Sequence, residues 1–245
     1  MLGPLKRKAR ELQGDKPFMW LNAPVLAVDL EVGIEAATRL LPGGLRPIWP
    51  LKATLFVGDY QETSFEIPYR EVGLLLHAKL GMTAVVHCPW ILVDDDVALV
   101  LGREYLGFPK KLGEISLSVE GDRVYATVDR KGQRLVEVHG ALGPELADPP
   151  PMMGRSWVNV WNLLGVSVPK LLRFTLPEKI SSCRNVDATV EIRGTDMDPL
   201  QELELGKVLG ARLYRTNFGS ADRLPMPVLP VTPGYIIRNW PLRYG

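Results

Sequence analysis

Residues 113–142 read GEISLSVEGDRVYATVDRKGQRLVEVHGAL and contain three segments in which apolar and polar side chains alternate. Short turns at Glu120-Gly121-Asp122 and Lys131-Gly132 separate the segments. Alternation with a period of two is typical of a β-strand with one buried face, and a short glycine-containing turn between two such segments indicates a hairpin. The stretch therefore predicts a three-stranded antiparallel meander.

Further strands are predicted on the amino-terminal side of this meander. They are apolar segments rich in β-branched residues and bounded by turn residues or acidic clusters, at 51–57, 72–80, 83–93 and 97–101. One helix is predicted over 34–41, where apolar side chains recur at helical spacing before Pro42-Gly43-Gly44. Closure of the sheet would hide the edges of so many strands. We therefore expect a mainly β fold, a closed antiparallel β-barrel with a few short helices.

Composition and charge indicate an ordinary globular chain. Of its 245 residues, 46% are hydrophobic and 23% are charged, which is close to the average for soluble domains. The 29 Lys and Arg residues nearly balance the 28 Asp and Glu residues, so we expect no binding to nucleic acid or to an acidic membrane surface. The basic cluster at 6–10 is interpreted as a solvated helix face. The proline run at 149–151 is interpreted as a rigid loop, so residues 1–245 are predicted to form a single domain.

Cysteine usage and the apolar runs predict a cytoplasmic protein. Cys88 and Cys183, its two cysteines, lie far apart in the sequence and indicate neither a disulfide framework nor a zinc ribbon. The amino terminus lacks the apolar core of a signal peptide, and each apolar run is shorter than the roughly 20 residues that a membrane span needs.

Several familiar functional motifs are absent from the chain. It contains no P-loop, dinucleotide-binding glycine motif, zinc-protease motif or serine-hydrolase elbow. His77, His87 and His139 are interpreted as strand side chains with hydrogen-bond partners, and Asp94-Asp95-Asp96 as a solvated turn between two apolar strands. No metal site is therefore predicted.

The segment Gly102–Gly113, GREYLGFPKKLG, carries the clearest chemical signal. Pro109 stiffens the backbone next to Lys110, and the neighbouring Phe108 supplies an apolar environment. An ordinary lysine, with a pKa of about 10.4, is a free amine in roughly one molecule in 2,500 at pH 7, and desolvation lowers the pKa of the amine. A neutral amine can attack a ketone and form a Schiff base, which acts as an electron sink. The alternative interpretation is a pair of solvated loop lysines, Lys110 and Lys111.

This segment resembles the acetoacetate decarboxylase family at the position of its Schiff-base lysine. The resemblance implies that Lys110 is the nucleophile and that Lys111 is the lysine beside it. Because successive side chains of an extended backbone point to opposite faces, we expect Lys111 to point away from Lys110. A second segment, Tyr69-Arg70-Glu71-Val72-Gly73, is similar to the family's Y-x-E-x-G, which implies that Glu71 is a proton-handling carboxylate near Lys110.

The resemblance also implies properties of the whole molecule. These are a cone-shaped barrel with the lysine inside, no metal and no organic cofactor, a small keto-acid substrate, and homo-oligomers. The proline-rich, apolar segment from Leu224 to Trp240 is expected to be extended and to pack either on its own barrel or on a neighbour. The resemblance favours the neighbour. Four residues are predicted to line the substrate pocket: Phe56, Phe108, Lys111 and Arg103.

Two expected family residues are missing from the chain. Glu31 stands where we expect an arginine, and Phe56 stands where we expect a second active-site glutamate. A slip of the alignment could bring Asp59 or Glu62 to the second position, but no short slip restores the arginine. Since arginine offers a bidentate grip on a carboxylate, its loss changes how a substrate is held. We therefore expect weak acetoacetate turnover and a preference for a keto acid with a larger apolar tail in contact with Phe56.

The leading functional prediction is a Schiff-base decarboxylase of acetoacetate or a related β-keto acid. One alternative is an aldolase-dehydratase that acts on pyruvate-like keto acids through the same lysine. Another is a non-catalytic barrel that binds a small ketone or apolar ligand.

Overall fold

Strands predominate in the computed structural model, which describes residues 18–162, 168–220 and 225–245. The strands are β1 (Met19–Val32), β2 (Leu45–Pro47), β3 (Lys52–Tyr60), β4 (Glu62–Thr63), β5 (Tyr69–Leu80), β6 (Thr83–Val93), β7 (Lys110–Leu112), β8 (Glu114–Glu120), β9 (Arg123–Arg130), β10 (Gln133–Glu145), β11 (Ser156–Trp161), β12 (Lys170–Thr175), β13 (Glu178–Ile192), β14 (Leu205–Gly219) and β15 (Met226–Pro230). The helices are α1 (Ile34–Leu40), α2 (Asp96–Leu106), α3 (Pro233–Arg238) and α4 (Trp240–Tyr244), and a 3-10 turn spans Leu200–Leu203. The predicted mainly β fold and the helix at 34–41 are confirmed, whereas the basic cluster at 6–10 lies outside the described residues.

The strands belong to one sheet. Its order is β15-β12-β11-β6-β5-β3-β1-β14-β13-β10-β9-β8, while β2, β4 and β7 pair with β5, β1 and β6. Most pairs are antiparallel, but β7 and β11 run parallel to β6. The predicted closure of the barrel by hydrogen bonds is not found among the described strands, because the order ends at β15 and β8 without a pair between them. The sheet curls instead, so that side chains of the meander pack with those of β1, β3 and β5 in one apolar core.

The meander is confirmed by β8, β9 and β10. Val119 pairs with Val124 across the first turn, and Gln133 pairs with Arg130 across the second. Positive φ angles of 62° at Gly121, 51° at Lys131 and 75° at Gly132 place these turn residues in the left-handed region, which glycine adopts at low cost.

The central strands bury both of their faces. On β1, Leu26 and Val28 join the core beneath the meander, while Val25 and Ala27 join a second core on the opposite face. Strands covered on both sides are apolar along their whole length rather than alternating. The second core surrounds the candidate site described below.

The prediction of a strand at 97–101 is wrong, because these residues lie within helix α2. The side chain of Asp95 caps the helix by accepting a hydrogen bond from the Ala98 amide at 2.8 Å, and Gly107 ends it with a φ of 67°. Asp94 accepts a hydrogen bond from the Arg70 amide. The acidic run therefore begins a helix instead of forming a solvated turn between strands. The strand prediction failed because a short apolar run fits either a buried strand or a helix.

The carboxyl-terminal segment is extended only in part. Residues 226–230 form β15, which pairs with β12 of the same chain, whereas residues 233–244 form α3 and α4. The prediction of an extended arm is thus wrong beyond Pro230, where Pro233 and Pro241 occupy the first turns of short helices. No helix in the described ranges has the length and apolar character needed to span a membrane.

The three histidines lie on strands and have hydrogen-bond partners, as predicted. The ring of His77 lies 2.8 Å from Thr54 Oγ1, and that of His139 lies 2.8 Å from a Glu137 oxygen. His87 is buried, with Nδ1 2.9 Å from the Val158 carbonyl oxygen and Nε2 2.9 Å from the Tyr235 hydroxyl. Among the described residues no group of His, Cys, Asp and Glu side chains could hold a metal ion.

His87 is expected to make the fold sensitive to acid. Burial lowers the pKa of its imidazole from 6.5 to about 4, so the unfolded chain binds a proton between these pH values while the folded chain does not. The free energy of unfolding should therefore fall as the pH drops from 6.5 to 4, by on the order of 3 kcal/mol. Urea unfolding at several pH values measures the slope, which His87→Gln should reduce and the exposed-site control His139→Gln should preserve. An equal slope in the His87 variant would contradict the assignment.

Candidate active site

A cavity of about 400 Å³ lies on the face of the sheet opposite the meander. Its described lining comes from β1, β5, α2, β7, β11, the end of β14 and the adjoining loops: Phe18, Trp20, Phe65, Tyr69, Glu71, Ala98, Leu101, Gly102, Tyr105, Leu106, Phe108, Lys110, Met153, Trp157, Leu176, Phe218 and Ser220. Of the residues predicted from the sequence, Lys110, Glu71 and Phe108 are in this lining.

Lys110 and Glu71 form an ion pair in this cavity. Lys110 starts β7 beside Ile91 of β6, and Glu71 lies on β5, beside Val93 of β6, so the two strands that carry them flank the same neighbour. Lys110 Nζ lies 2.9 Å from a Glu71 carboxylate oxygen. Lys110 is 5% exposed and Glu71 is 8% exposed, so both groups are largely removed from water. The amine has the apolar surroundings predicted from the sequence and, in addition, a carboxylate within proton-transfer distance.

Two tyrosines complete the surroundings of the ion pair. The Tyr60 hydroxyl donates a hydrogen bond to Glu71 at 3.1 Å, and the ring of Tyr69 has its centroid 5.2 Å from Lys110 Nζ. Burial, together with the nearby Glu71 charge, raises the pKa of both phenols well above 10. Both phenols therefore remain neutral near pH 7. In this state the Tyr60 hydroxyl can donate its proton in a hydrogen bond that orients the Glu71 carboxylate.

Helix α2 covers the aliphatic part of the Lys110 side chain. A Cβ atom built at Gly102 would lie 2.5 Å from Lys110 Cε and 3.0 Å from Nζ. A glycine inside a helix costs about 1 kcal/mol relative to alanine, and here its absent side chain makes room for the lysine. Arg103, the next residue, donates a hydrogen bond to the Lys110 carbonyl oxygen at 2.8 Å. The helix thus positions both the backbone and the side chain of Lys110.

Gly102→Ala is expected to lower the turnover rate roughly 10- to 100-fold, because the added methyl group displaces the buried amine by a fraction of an ångström or more. The substitution raises helix propensity, so we expect the loss of turnover to be much larger than any fall in the thermal midpoint. Steady-state assays and thermal melts of Gly102→Ala and of Val100→Ala, an exposed control on the same helix, separate the two effects. Wild-type turnover in Gly102→Ala would contradict this role of the glycine.

Lys111 points away from Lys110, as predicted, and does not line the cavity. Its amine forms an ion pair with the buried Asp198 and donates hydrogen bonds to the carbonyl oxygens of Met197 and Pro241, at 3.0 Å and 2.9 Å. Burial lowers the pKa of Lys111 to about 8. The prediction that Lys111 lines the substrate pocket is therefore wrong. Its side chain instead links β7 to the carboxyl-terminal helix α4 and to the loop at Asp198.

Arg103 and Phe56 also lie outside the cavity lining. The Arg103 guanidinium faces the carboxyl-terminal helices, where it donates to the Arg243 carbonyl oxygen and lies over the Tyr244 ring. The ring of Phe56 packs across Gly73 on the neighbouring strand and is 1% exposed. Both predicted pocket contacts are thus wrong, because these side chains are already occupied by packing within the protein.

The expected arginine and second glutamate have no substitutes among the described lining residues. Glu31 lies near the far end of β1, where it forms an ion pair with Lys207. Asp59 pairs with Arg70, and Glu62 is exposed on β4. Since none of the three lines the cavity, Lys110 and Glu71 are the charged groups within its described wall.

The sequence did not identify the aromatic part of the wall. Trp20, Phe65 and Phe218 come from segments that are far apart in the chain, and only the folded sheet brings them together. Tyr60 was not predicted as a site residue either, because the predicted strand at 51–57 ends three residues before it. In the folded sheet it pairs with Tyr69, two residues before Glu71, and no pattern in the sequence indicates this pairing.

Comparisons with known proteins identify similar sequences. The family model described as acetoacetate decarboxylase matches residues 4–223. Acetoacetate decarboxylase 1 of Bradyrhizobium diazoefficiens is 29% identical over 114 residues, or 43% of this chain and 42% of that protein; the chain spans less than half the length of the curated relatives that it matches.

Solved structures of similar fold cover most of the chain. A structure of acetoacetate decarboxylase superposes with a TM-score of 0.78 at 17% identity, over 88% of this chain and 90% of that one. The enduracididine biosynthesis enzyme MppR, complexed with pyruvate, has a TM-score of 0.70 at 20% identity, over 85% of this chain and 90% of that one. At these identities the two structures demonstrate a shared fold.

Proposed function

The chain belongs to the acetoacetate decarboxylase family, and on this basis we propose that it is a Schiff-base decarboxylase of a β-keto acid, a carbon–carbon lyase. The observation that carries the proposal is the buried pair of Lys110 and Glu71, with 2.9 Å between amine and carboxylate. A primary amine beside a proton acceptor, in an apolar cavity, is suited to attack a ketone. The function needs neither a metal nor an organic cofactor, because the lysine supplies the electron sink.

The proposed reaction begins with proton transfer from Lys110 to Glu71. The free amine attacks the ketone carbon, Glu71 returns the proton to the departing hydroxyl group, and water leaves to give an iminium ion. The bond to the carboxylate then breaks, its electron pair forms an enamine, and CO2 leaves. Glu71 takes a proton from solvent and passes it to the enamine carbon. Hydrolysis of the resulting iminium releases the ketone and restores the lysine, with one solvent proton consumed for each CO2 released.

The apolar wall supports the decarboxylation step. With no arginine in the described lining, the iminium itself is the cation that attracts the substrate carboxylate. This attraction holds the carboxylate beside the bond that breaks, while the apolar surroundings disfavour a charged carboxylate relative to neutral CO2.

A second candidate function is an aldolase-dehydratase, which uses the same enamine to attack an aldehyde. The buried pair of Lys110 and Glu71 supports this candidate as well, because an enamine needs an amine nucleophile and a proton-handling group but no arginine. The fold shared with MppR, a protein solved with pyruvate, is compatible with it. This function requires proton removal from the carbon next to the iminium, and we assign that step to Glu71 as well.

A panel of keto acids separates the candidates. We expect CO2 release from at least one β-keto acid, measured with a coupled carbonate assay, and no condensation product from pyruvate and an aldehyde. Condensation without CO2 release would assign the aldolase-dehydratase function. Reversible ligand binding with neither reaction would indicate a non-catalytic barrel and would overturn the proposal.

We further propose that the chain acts as one domain, in the cytoplasm and as a homo-oligomer. The edge strand β15 supports assembly, because Met226, Val228 and Leu229 remain 63%, 38% and 42% exposed after it pairs with β12. Light scattering at micromolar concentration tests this, and a monodisperse monomer would refute the oligomer.

A further inference from the structure

We propose that the tail on the ketone of the substrate carries a neutral aryl group, and that this ring binds against two groups of aromatic side chains in the Lys110 cavity. The inference rests on the proposed Schiff-base function and adds the chemical class of the substrate to it. Acetoacetate, with a methyl group on its ketone, would then be a poor substrate.

Aromatic side chains are concentrated around the cavity. Eight of the 17 described residues that line it are aromatic: Phe18, Trp20, Phe65, Tyr69, Tyr105, Phe108, Trp157 and Phe218. Aromatic residues make up only 8% of the whole chain. A site for a four-carbon acid needs no such wall, since it has only one methyl group to desolvate.

The aromatic side chains form two groups with defined geometry. In the first group, Trp20 stacks on Phe218 with ring centroids 4.8 Å apart, and Phe65 meets Trp20 edge to face at 5.5 Å. The second group contains Phe108 and Trp157, in edge-to-face contact at 5.5 Å. Phe108 has its ring centroid 5.9 Å from Lys110 Nζ, so a ketone bound to the amine has an aromatic surface close by. Rings in such surroundings prefer offset or edge-to-face contacts, which an aryl group can make and an alkyl group cannot.

The indole N–H groups of the two tryptophans are already used within the protein. Trp20 Nε1 donates to the Tyr69 hydroxyl, and Trp157 Nε1 donates to the Met153 carbonyl oxygen, both at 2.9 Å. The tryptophans therefore present carbon surfaces to a ligand. Because the charged groups of the described lining are Lys110 and Glu71, which pair with each other, a second charge on the substrate tail would find no partner. These contacts favour a neutral apolar tail.

The cavity has room for a ring. An apolar protein cavity of roughly 150 Å³ holds benzene, and this one measures about 400 Å³. The remaining volume accommodates the keto-acid portion beside Lys110. A methyl ketone would leave most of the aromatic surface without a contact.

Three β-keto acids with the same reacting group test the inference: acetoacetate, 3-oxo-4-phenylbutanoate and 4-cyclohexyl-3-oxobutanoate. We expect kcat/KM for the phenyl compound to be at least 10-fold higher than kcat/KM for acetoacetate. We also expect it to be at least threefold higher than kcat/KM for the cyclohexyl compound. A phenyl value at or below that of acetoacetate would overturn the inference. Equal phenyl and cyclohexyl values would overturn the aromatic part of it.

Variants locate the ring in the cavity. Phe65 is half-buried, so Phe65→Leu should fold, and we expect it to reduce the phenyl-to-acetoacetate ratio of kcat/KM at least threefold. Tyr125→Leu changes an aromatic residue of the meander outside the cavity and should preserve the ratio. An unchanged ratio in Phe65→Leu would contradict the proposed position of the ring.

Borohydride trapping distinguishes failure of this inference from failure of the proposed function. It is performed with acetone and phenylacetone, the ketone products of two of these acids, and does not depend on decarboxylation. Preferential adduct formation with phenylacetone supports the aryl site even if no CO2 is released. Equal adduct formation overturns the aryl site alone, and no adduct with either ketone overturns both proposals.

Discussion

Lys110→Arg is expected to lose decarboxylase activity by a factor of roughly 10⁴ or more, the scale seen when a catalytic nucleophile is removed. Arginine retains a positive charge opposite Glu71, so the buried carboxylate keeps a partner. Its guanidinium stays protonated in proteins and cannot add to a ketone. The loss should therefore appear in kcat, measured as CO2 release, with little change in the thermal midpoint.

Two further variants make this result interpretable. Lys110→Met also removes the amine but leaves Glu71 without its charged partner, which is expected to destabilise the fold by about 3–5 kcal/mol. Lys207→Met removes an exposed lysine far from the cavity and should keep full activity. Activity in Lys110→Arg within 10-fold of the wild type would mean that the reaction does not proceed through this amine.

Glu71→Gln is expected to lower kcat by roughly 10²- to 10³-fold, the contribution of a positioned general acid or base. The amide has nearly the shape of the carboxylate and can still accept the Tyr60 hydrogen bond, which spans 3.1 Å in the wild type. It cannot take the proton from Lys110 or return it to the departing hydroxyl group. Single-turnover measurements should show slow Schiff-base formation as well as slow protonation of the enamine.

The matched control for this variant is Glu62→Gln, which changes an exposed glutamate on β4. We expect wild-type kcat and KM for it. Wild-type kcat in Glu71→Gln would remove this carboxylate from the proposed mechanism, and an equal loss in both variants would point to a general electrostatic effect.

The sequence predicts the parts of the fold in which local pattern and tertiary environment agree. The meander from Ile115 to Leu142 alternates because one face packs on the core and the other is more exposed, so a period of two is visible in the sequence. Lys110 and Lys111 lie next to each other in an extended segment, and their opposite orientations follow from strand geometry.

Prediction failed where an apolar run has two interpretations. Residues 97–101 are valine, alanine and leucine, which fit a buried strand, and the helix is specified by Asp95 and Gly107 at its ends. These two capping residues are the sequence signal for α2, and a helix between them brings Gly102 next to Lys110.

Contacts between residues that are far apart in the chain could not be predicted from the sequence either. The pocket positions of Phe56 and Arg103 were inferred from the family resemblance, but Phe56 packs over Gly73 and Arg103 turns toward the carboxyl-terminal helices. Conversely, the contact of Trp20 with Phe218 joins residues 198 positions apart, and no periodicity in the sequence indicates it.

The formation of a Schiff base on Lys110 is the central claim, and borohydride trapping tests it most directly. The protein is incubated with a β-keto acid and sodium borohydride, digested and mapped by mass spectrometry. The account predicts one reduced adduct, on the peptide that carries Lys110, and none in Lys110→Arg. An adduct on Lys111 alone, or no adduct with any acid of the panel, would contradict it.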